Sequence, residues 1–218
     1  MRSANSIVTK STKTPDPAQP VVSDAERNAA LLPRSIDDKH AFTLRVPEGD
    51  THARHVCNDC GYIHYTNPKI VVGSVVTWRD PEDGEVRYLM CRRAIEPRKG
   101  FWTLPAGYLE NGETTDAGAR REAFEEACAD IRIDALLAVY SLAHISQVQL
   151  MYKATLLSPD IDVGEESLEV ALFRKEDIPW DELAFPSVRW ALTQFQEVAQ
   201  TPAFAPFTNP VDAAGKPD

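Results

Sequence analysis

The chain has 218 residues, of which 43% are hydrophobic and 26% charged, and its formal net charge at pH 7 is −10. This length and composition fit one medium-sized globular domain with flanking segments. The acidic charge disfavours a nucleic-acid partner, which needs a basic face, and without an apolar run of about 18 residues we expect no membrane partner.

The two ends of the chain have compositions typical of unfolded segments. Residues 1–34 are rich in Ser, Thr, Pro, Ala and Asp and show no hydrophobic periodicity, which predicts a disordered N-terminal segment. Residues 200–218 contain four prolines and are predicted to form a flexible tail. Between them we expect a small module over 35–67 and the main domain over 68–199. The N-terminus lacks the apolar centre of a secretory signal, so a cytoplasmic location is expected.

The main domain alternates strand and helix patterns. Strands are predicted where β-branched and apolar residues dominate, at 70–78, 86–92, 102–104, 131–143, 148–156 and 168–173. A turn is expected at 80–84 and another at 178–180. One helix is predicted from near Thr114, a residue that can cap it, to about Cys128, and a last helix over 187–198. Mixed strands with a few helices indicate an α/β layered domain.

Three glutamates on the first helix attract attention because they share one face. Glu122 lies three residues before Glu125 and four before Glu126. Like charges so placed repel by roughly 0.2–0.5 kcal/mol per pair. A bare pair of this kind is commonly a solvated acidic face. The alternative is a cage for a hard cation, because Mg²⁺ prefers carboxylate oxygens.

The spacing around these glutamates favours the second interpretation. The segment resembles the Nudix box, Gly-x5-Glu-x7-Arg-Glu-hydrophobic-x-Glu-Glu-x-Gly-hydrophobic, at Gly107, Glu113, Arg121, Glu122, Glu125 and Glu126. One position departs from the pattern: Cys128 stands where the box has glycine. Either Cys128 adopts a left-handed conformation at a cost of roughly 1–2 kcal/mol, or the helix continues and Asp130 makes the turn.

The resemblance to Nudix hydrolases implies a fold, a metal and residue roles. The implied fold is an α/β/α sandwich with a mixed sheet. Magnesium, with Mn²⁺ as a substitute, would be bound by Glu122, Glu125, Glu126 and the carbonyl of Ala106. Glu113 would orient Arg121, so these five side chains and one carbonyl form the expected site.

The carboxylate that removes the proton from the attacking water remains open at this stage. Some relatives use a glutamate of the box and others a glutamate of a later loop. Here that loop would supply Glu165, Glu166 or Glu169. Arg92 and Arg93, just before the box, are candidates for contacting substrate phosphates, although a solvated arginine pair explains them equally well.

Residues 35–67 resemble the N-terminal zinc ribbon of one Nudix subgroup. The resemblance rests on Cys57-x-x-Cys60 followed by His64 and Asn67-Pro68-Lys69. A structural zinc needs four ligands, and the first cysteine pair is replaced by Ser35-Ile-Asp-Asp38. We therefore expect a degenerate ribbon, and Zn²⁺ is doubtful.

Members of that subgroup hydrolyse ADP-ribose or FAD at the diphosphate and release AMP, and the resemblance also implies a homodimer. The alternatives are an NADH pyrophosphatase and a non-catalytic Nudix domain that senses a nucleotide. NADH pyrophosphatases carry a Ser-Gln-Pro-Trp-Pro-Phe-Pro segment after the box, and this chain has no such segment. Non-catalytic Nudix domains have usually lost box carboxylates, and all three are intact here. In either case the partner would be a nucleotide-sugar or dinucleotide.

Overall fold

The structure, a computed structural model, describes residues 7–9, 41–201 and 203–211. The chain divides into two compact units, one formed by residues 68–218 with the first twelve and the other by residues 13–67. Among the described residues, neither α-helix is long and apolar enough to cross a membrane.

The larger unit is built on an eight-stranded mixed sheet. Its strands are β1 (Ile7–Thr9), β5 (Lys69–Arg79), β6 (Val86–Arg93), β7 (Trp102–Thr103), β8 (Ala106–Tyr108), β9 (Ile131–Leu142), β10 (Gln147–Leu156) and β11 (Ser167–Arg174). The order is β1-β11-β6-β5-β10-β9, with β7 added to β6 and β8 to β5. Only β5 and β10 pair in parallel among these described strands. The predicted strands are all present, whereas β1 and β8 were not anticipated.

Two helices cover the opposite faces of this sheet. Since successive side chains of a strand point to opposite faces, neighbouring residues of the central strands pack against different helices. On β5, Val75 joins a core cluster with helix α2 (Pro186–Val198), while Val76 joins a cluster with helix α1 (Thr115–Ala127). On β6, Met90 belongs to the cluster with α2 and Leu89 to the cluster with α1. The predicted α/β/α sandwich with a mixed sheet is therefore confirmed.

Helix α1 begins and ends as its sequence suggests. The Thr114 hydroxyl accepts a hydrogen bond from the Ala117 amide at 3.4 Å, which caps the first turn. The helix ends at Cys128, which has φ 50° and ψ 26° and donates its amide proton to the carbonyls of Ala123 and Phe124. The first of the two alternatives for this position is thus correct. Helix α2 begins with Pro186 in its first turn, where a missing amide proton costs nothing.

The smaller unit contains a three-stranded antiparallel sheet of β2 (Phe42–Arg45), β3 (Arg54–Cys57) and β4 (Ile63–His64). A tight turn follows β3, where the Gly61 amide donates to the Cys57 carbonyl at 3.0 Å. Cys57 is buried and Cys60 exposed. Ser35–Asp38, the expected replacement for the first cysteine pair, lies outside the described residues.

Short parts of both chain ends belong to the described structure. Ile7–Thr9, within the segment expected to be disordered, forms an edge strand antiparallel to β11; β-branched residues suit that pairing. The rest of residues 1–34 lies outside the described residues. The tail is likewise ordered over 203–211, because Phe207 exchanges backbone hydrogen bonds with Leu137 and Val139 of β9, both at 2.9 Å.

Candidate active site

The three box glutamates of α1 occupy different environments. Glu122 and Glu126 are buried, with 8% and 6% of their surface exposed, because they face the sheet one helical turn apart. Glu125 points outward, and its side chain is 58% exposed. The cluster is therefore not a solvated acidic face: two of its carboxylates are held inside the protein.

Arg121 is the centre of a hydrogen-bond network that joins the loop before α1 to these glutamates. Its Nη2 lies 2.8 Å from Glu113 Oε1, and its Nη1 lies 2.7 Å from Glu122 Oε1 and 2.9 Å from Glu125 Oε2. It also donates to the Tyr108 carbonyl at 3.0 Å. Hydrogen bonding to Arg121 lowers the pKa of Glu113, which keeps that carboxylate charged.

Burial raises the pKa of both inward-facing glutamates. The pKa of Glu122 rises to about 7, mainly through burial, although Arg121 opposes the shift. Burial, followed by the charge of Glu122, raises the pKa of Glu126 to about 8. Perturbed pKa values of this kind cluster at functional sites.

Ala106, the predicted carbonyl ligand, lies beside Glu126 at the start of β8. The Ala106 amide donates to Glu126 Oε2 over 3.3 Å. The next residue is glycine, and a Cβ at Gly107 would lie 2.3 Å from Glu122 Oε2, so a larger residue would displace that carboxylate. The strand thus passes close against the helix, and the lack of a side chain at Gly107 leaves room for the Glu122 carboxylate.

The loop before β11 closes over the end of α1. The Gly164 amide donates to the Glu126 carbonyl at 3.1 Å, and the Asp162 amide donates to the Ala127 carbonyl at 3.0 Å. A Cβ at Gly164 would lie only 1.8 Å from the Glu125 carbonyl oxygen. This contact was not anticipated from the sequence, where Gly164 reads as an ordinary loop glycine.

The structure separates the three loop glutamates that the sequence left as alternatives. Besides burial, the charge of Glu166 contributes to raising the pKa of both Glu122 and Glu126. Glu169 lies 3.4 Å from Arg92 Nη1 in an ion pair. Glu165 is exposed.

The donor chemistry fits a hard divalent cation. Glu122 and Glu126 bring two buried carboxyl groups together on one face of α1, and oxygen is the ligand atom that Mg²⁺ prefers. Within the described part of the chain, no three His, Cys, Asp or Glu side chains already converge as a metal site. Glu122 and Glu125 instead contact Arg121, so the site would form its full ligand set on binding the cation.

Comparison with known proteins gives the same framework. The profile of the NUDIX domain matches residues 69–191, more than half of the chain, and the Nudix N-terminal zinc-ribbon profile matches residues 39–66. A crystal structure of a NUDIX hydrolase from Nitrosomonas europaea superposes with a TM-score of 0.70, at 46% identity over 77% of this chain and 93% of that chain.

Two further relatives carry information on ligands in their own names. An ADP-ribose pyrophosphatase from Methanocaldococcus jannaschii is 25% identical over 130 residues, or 57% of this chain and 71% of that protein. The NUDIX domain of Shewanella oneidensis NrtR, solved in complex with ADP ribose, has a TM-score of 0.52 at 20% identity, covering 62% of this chain and 90% of that one. The domain match and the geometry of the box together show that the chain belongs to the Nudix family.

Proposed function

We propose that this protein hydrolyses the diphosphate of ADP-ribose or FAD in a Mg²⁺-dependent reaction that releases AMP. The observation that carries the proposal is the pair of buried carboxyl groups on α1, Glu122 and Glu126, the second of which accepts a hydrogen bond from the Ala106 amide at the start of β8. The similarity to an ADP-ribose pyrophosphatase supports the choice of substrate.

The cation would be held by Glu122, Glu125, Glu126 and the carbonyl of Ala106. Bound there, it would activate water and neutralise charge on the phosphate oxygens. Arg121 keeps Glu122 and Glu125 together through its Nη1 atom. Glu113 holds Arg121 in turn, so the ligand carboxylates depend on a fixed guanidinium.

Glu166 is the loop carboxylate best placed to accept a proton from the attacking water. Its charge acts on both buried glutamates, whereas Glu169 is occupied by Arg92 and Glu165 is exposed.

The first test is a substrate panel. Purified protein is incubated with Mg²⁺ and separately with ADP-ribose, FAD and NADH, and release of AMP is followed by chromatography. We expect cleavage of ADP-ribose or FAD well above NADH, and none after chelation of the metal. Preference for NADH would favour the sister pyrophosphatase, and binding without cleavage of any compound would favour a nucleotide sensor.

The second test removes one buried carboxylate while preserving its shape. Glu126→Gln should lower kcat by at least about 100-fold, since a ligand to the catalytic cation is lost. Asp116→Asn is the matched control, because Asp116 lies in the first turn of the same helix with its side chain 43% exposed and pairs with Arg120. Equal activity of the two variants would rule out Glu126 as a ligand.

A further inference from the structure

Two of the four cysteines of this chain lie three residues apart in the smaller unit. Cys57 is the last residue of β3, and Cys60 belongs to the turn that follows it. The other two lie in the larger unit, where Cys91 belongs to the core and Cys128 ends α1. Cys57 and Cys60 are thus the one pair of cysteines that shares a turn.

The backbone of this turn gives the two cysteines the separation that a disulfide needs. The Gly61 amide donates to the Cys57 carbonyl at 3.0 Å, which closes one helical turn, and the Cys57 amide donates to the Tyr62 carbonyl at 2.8 Å. In one helical turn, Cα atoms three residues apart are separated by about 5 Å. Disulfides span Cα separations of about 4.4–6.8 Å, so the bond can form without rearrangement of the strands.

The two cysteines differ in their access to solvent. Cys57 is buried, with 2% of its surface exposed, whereas Cys60 is exposed. An oxidant in solution therefore reaches Cys60 first, and Cys57 lies beside it as a second thiol. An accessible thiol next to a resolving thiol is the arrangement found in redox-responsive cysteine pairs.

The donor groups around this pair fall short of a structural zinc site. Such a site needs four ligands, and Ser35-Ile-Asp-Asp38 stands where the ribbon has its first cysteine pair. Across the described ranges, no three His, Cys, Asp or Glu side chains converge as a metal site. Two thiols supply half of the ligands, so oxidation of the pair is the chemistry that this turn supports better.

We propose that Cys57 and Cys60 form a dithiol that low-molecular-weight disulfides oxidise reversibly to an intramolecular disulfide. The Cys60 thiolate attacks one sulfur of the small disulfide, whose S–S bond breaks and releases one thiolate. The Cys57 thiolate then attacks the Cys60 sulfur, which forms the Cys57–Cys60 bond and releases the second small thiolate. The two leaving thiolates take up the two cysteine protons, so the protein loses two electrons and the small disulfide gains them. This inference is independent of the proposed hydrolysis.

The test follows one peptide of the full chain. The protein is reduced with dithiothreitol, separated from it and incubated with reduced and oxidised glutathione; remaining thiols are alkylated with iodoacetamide before digestion with trypsin. Cleavage after Arg54 and Lys69 gives peptide 55–69, which holds both cysteines and no other. By mass spectrometry we expect this peptide to have lost two hydrogen atoms and to carry no alkyl group. After renewed reduction with dithiothreitol, both cysteines should be alkylated.

Cys57→Ser tests the resolving step. This variant should accumulate at least about tenfold more mixed disulfide between Cys60 and glutathione than the unchanged protein, because a neighbouring thiol removes that species at high effective concentration. Cys128→Ser is the matched control: it removes an exposed thiol from the larger unit and should leave the oxidation of peptide 55–69 unchanged.

Circular dichroism verifies that the variants are folded. Alkylation of both cysteines of peptide 55–69 in the glutathione-treated unchanged protein would overturn the proposal. Equal amounts of the mixed disulfide in the unchanged protein and in Cys57→Ser would also overturn it. If Cys57→Ser does not fold, the state of peptide 55–69 in the unchanged protein decides the question alone.

Discussion

Cys128 shows how a single residue can depart from a motif and leave its chemistry intact. It adopts the left-handed conformation that glycine takes easily, and its amide still closes the helix on Ala123 and Phe124. The side chain is exposed, so the cost is confined to the backbone. The glutamates one turn earlier are unaffected, since the helix ends where the motif requires.

Replacing this residue by glycine should therefore stabilise the protein. Cys128→Gly is expected to increase the free energy of unfolding by about 0.5–1 kcal/mol, since relief of the left-handed strain exceeds the greater flexibility of glycine in the unfolded chain. Urea denaturation measures the change. Cys128→Ser retains the strain and serves as the control; a glycine variant no more stable than the serine variant would contradict the explanation.

The ordered tail, residues 203–211, acts as an additional structural element along β9. Asn209 Oδ1 accepts from the Ser141 amide at 2.7 Å, and its Nδ2 donates to the Ser141 carbonyl at 3.1 Å. Gln194 of α2 donates to the Thr208 carbonyl at 3.0 Å and accepts from the Tyr140 hydroxyl at 2.6 Å. The tail, the edge strand and the helix are thereby joined through side chains.

The aromatic residue at the centre of this tail is expected to carry much of its stabilising effect. Phe207→Ala should decrease the free energy of unfolding by about 2 kcal/mol, less than for a fully buried ring, because Phe207 is partly exposed. Val211→Ala, at a side chain that is 64% exposed, is the control and should change little. If the unfolding curves of the Phe207→Ala and Val211→Ala variants coincide, the tail contributes no packing energy.

At the scale of the whole molecule, the sequence predicts what depends on local patterns. The buried strands follow from β-branched runs, and the helix from the cap at Thr114 and the box spacing. The proximity of Glu166 to α1 depends on how a loop closes over the helix end, and Gly164 makes that closure possible. The tail is ordered because it pairs with the open edge of β9. That pairing is a tertiary contact, and the proline-rich composition of the tail gives no sign of it.

The difference between Arg92 and Arg93 has the same origin. Both are basic residues at the end of one strand, and nothing local distinguishes them. Their surroundings differ because Glu169 lies opposite Arg92 in the pairing of β11 with β6, while the Arg93 guanidinium donates to the Pro97 carbonyl and stacks on the Phe185 ring.

The buried carboxylates also make this fold less stable than it would be without them. A carboxyl whose native pKa is raised from 4.5 contributes stability below pH 4.5 that is lost as the pH rises through the native value, about 7 for Glu122 and about 8 for Glu126.

Without divalent cations, the protein should accordingly unfold at lower temperature at pH 9 than at pH 5. Glu126→Gln should unfold at higher temperature than the unchanged protein at pH 9 and nearly equally at pH 5, as differential scanning calorimetry would reveal. A variant less stable at both pH values would show that no such conflict exists. The carboxylate of Glu126 would then be needed for catalysis and would lower the stability of the cation-free protein at high pH, and cation binding would remove that loss of stability.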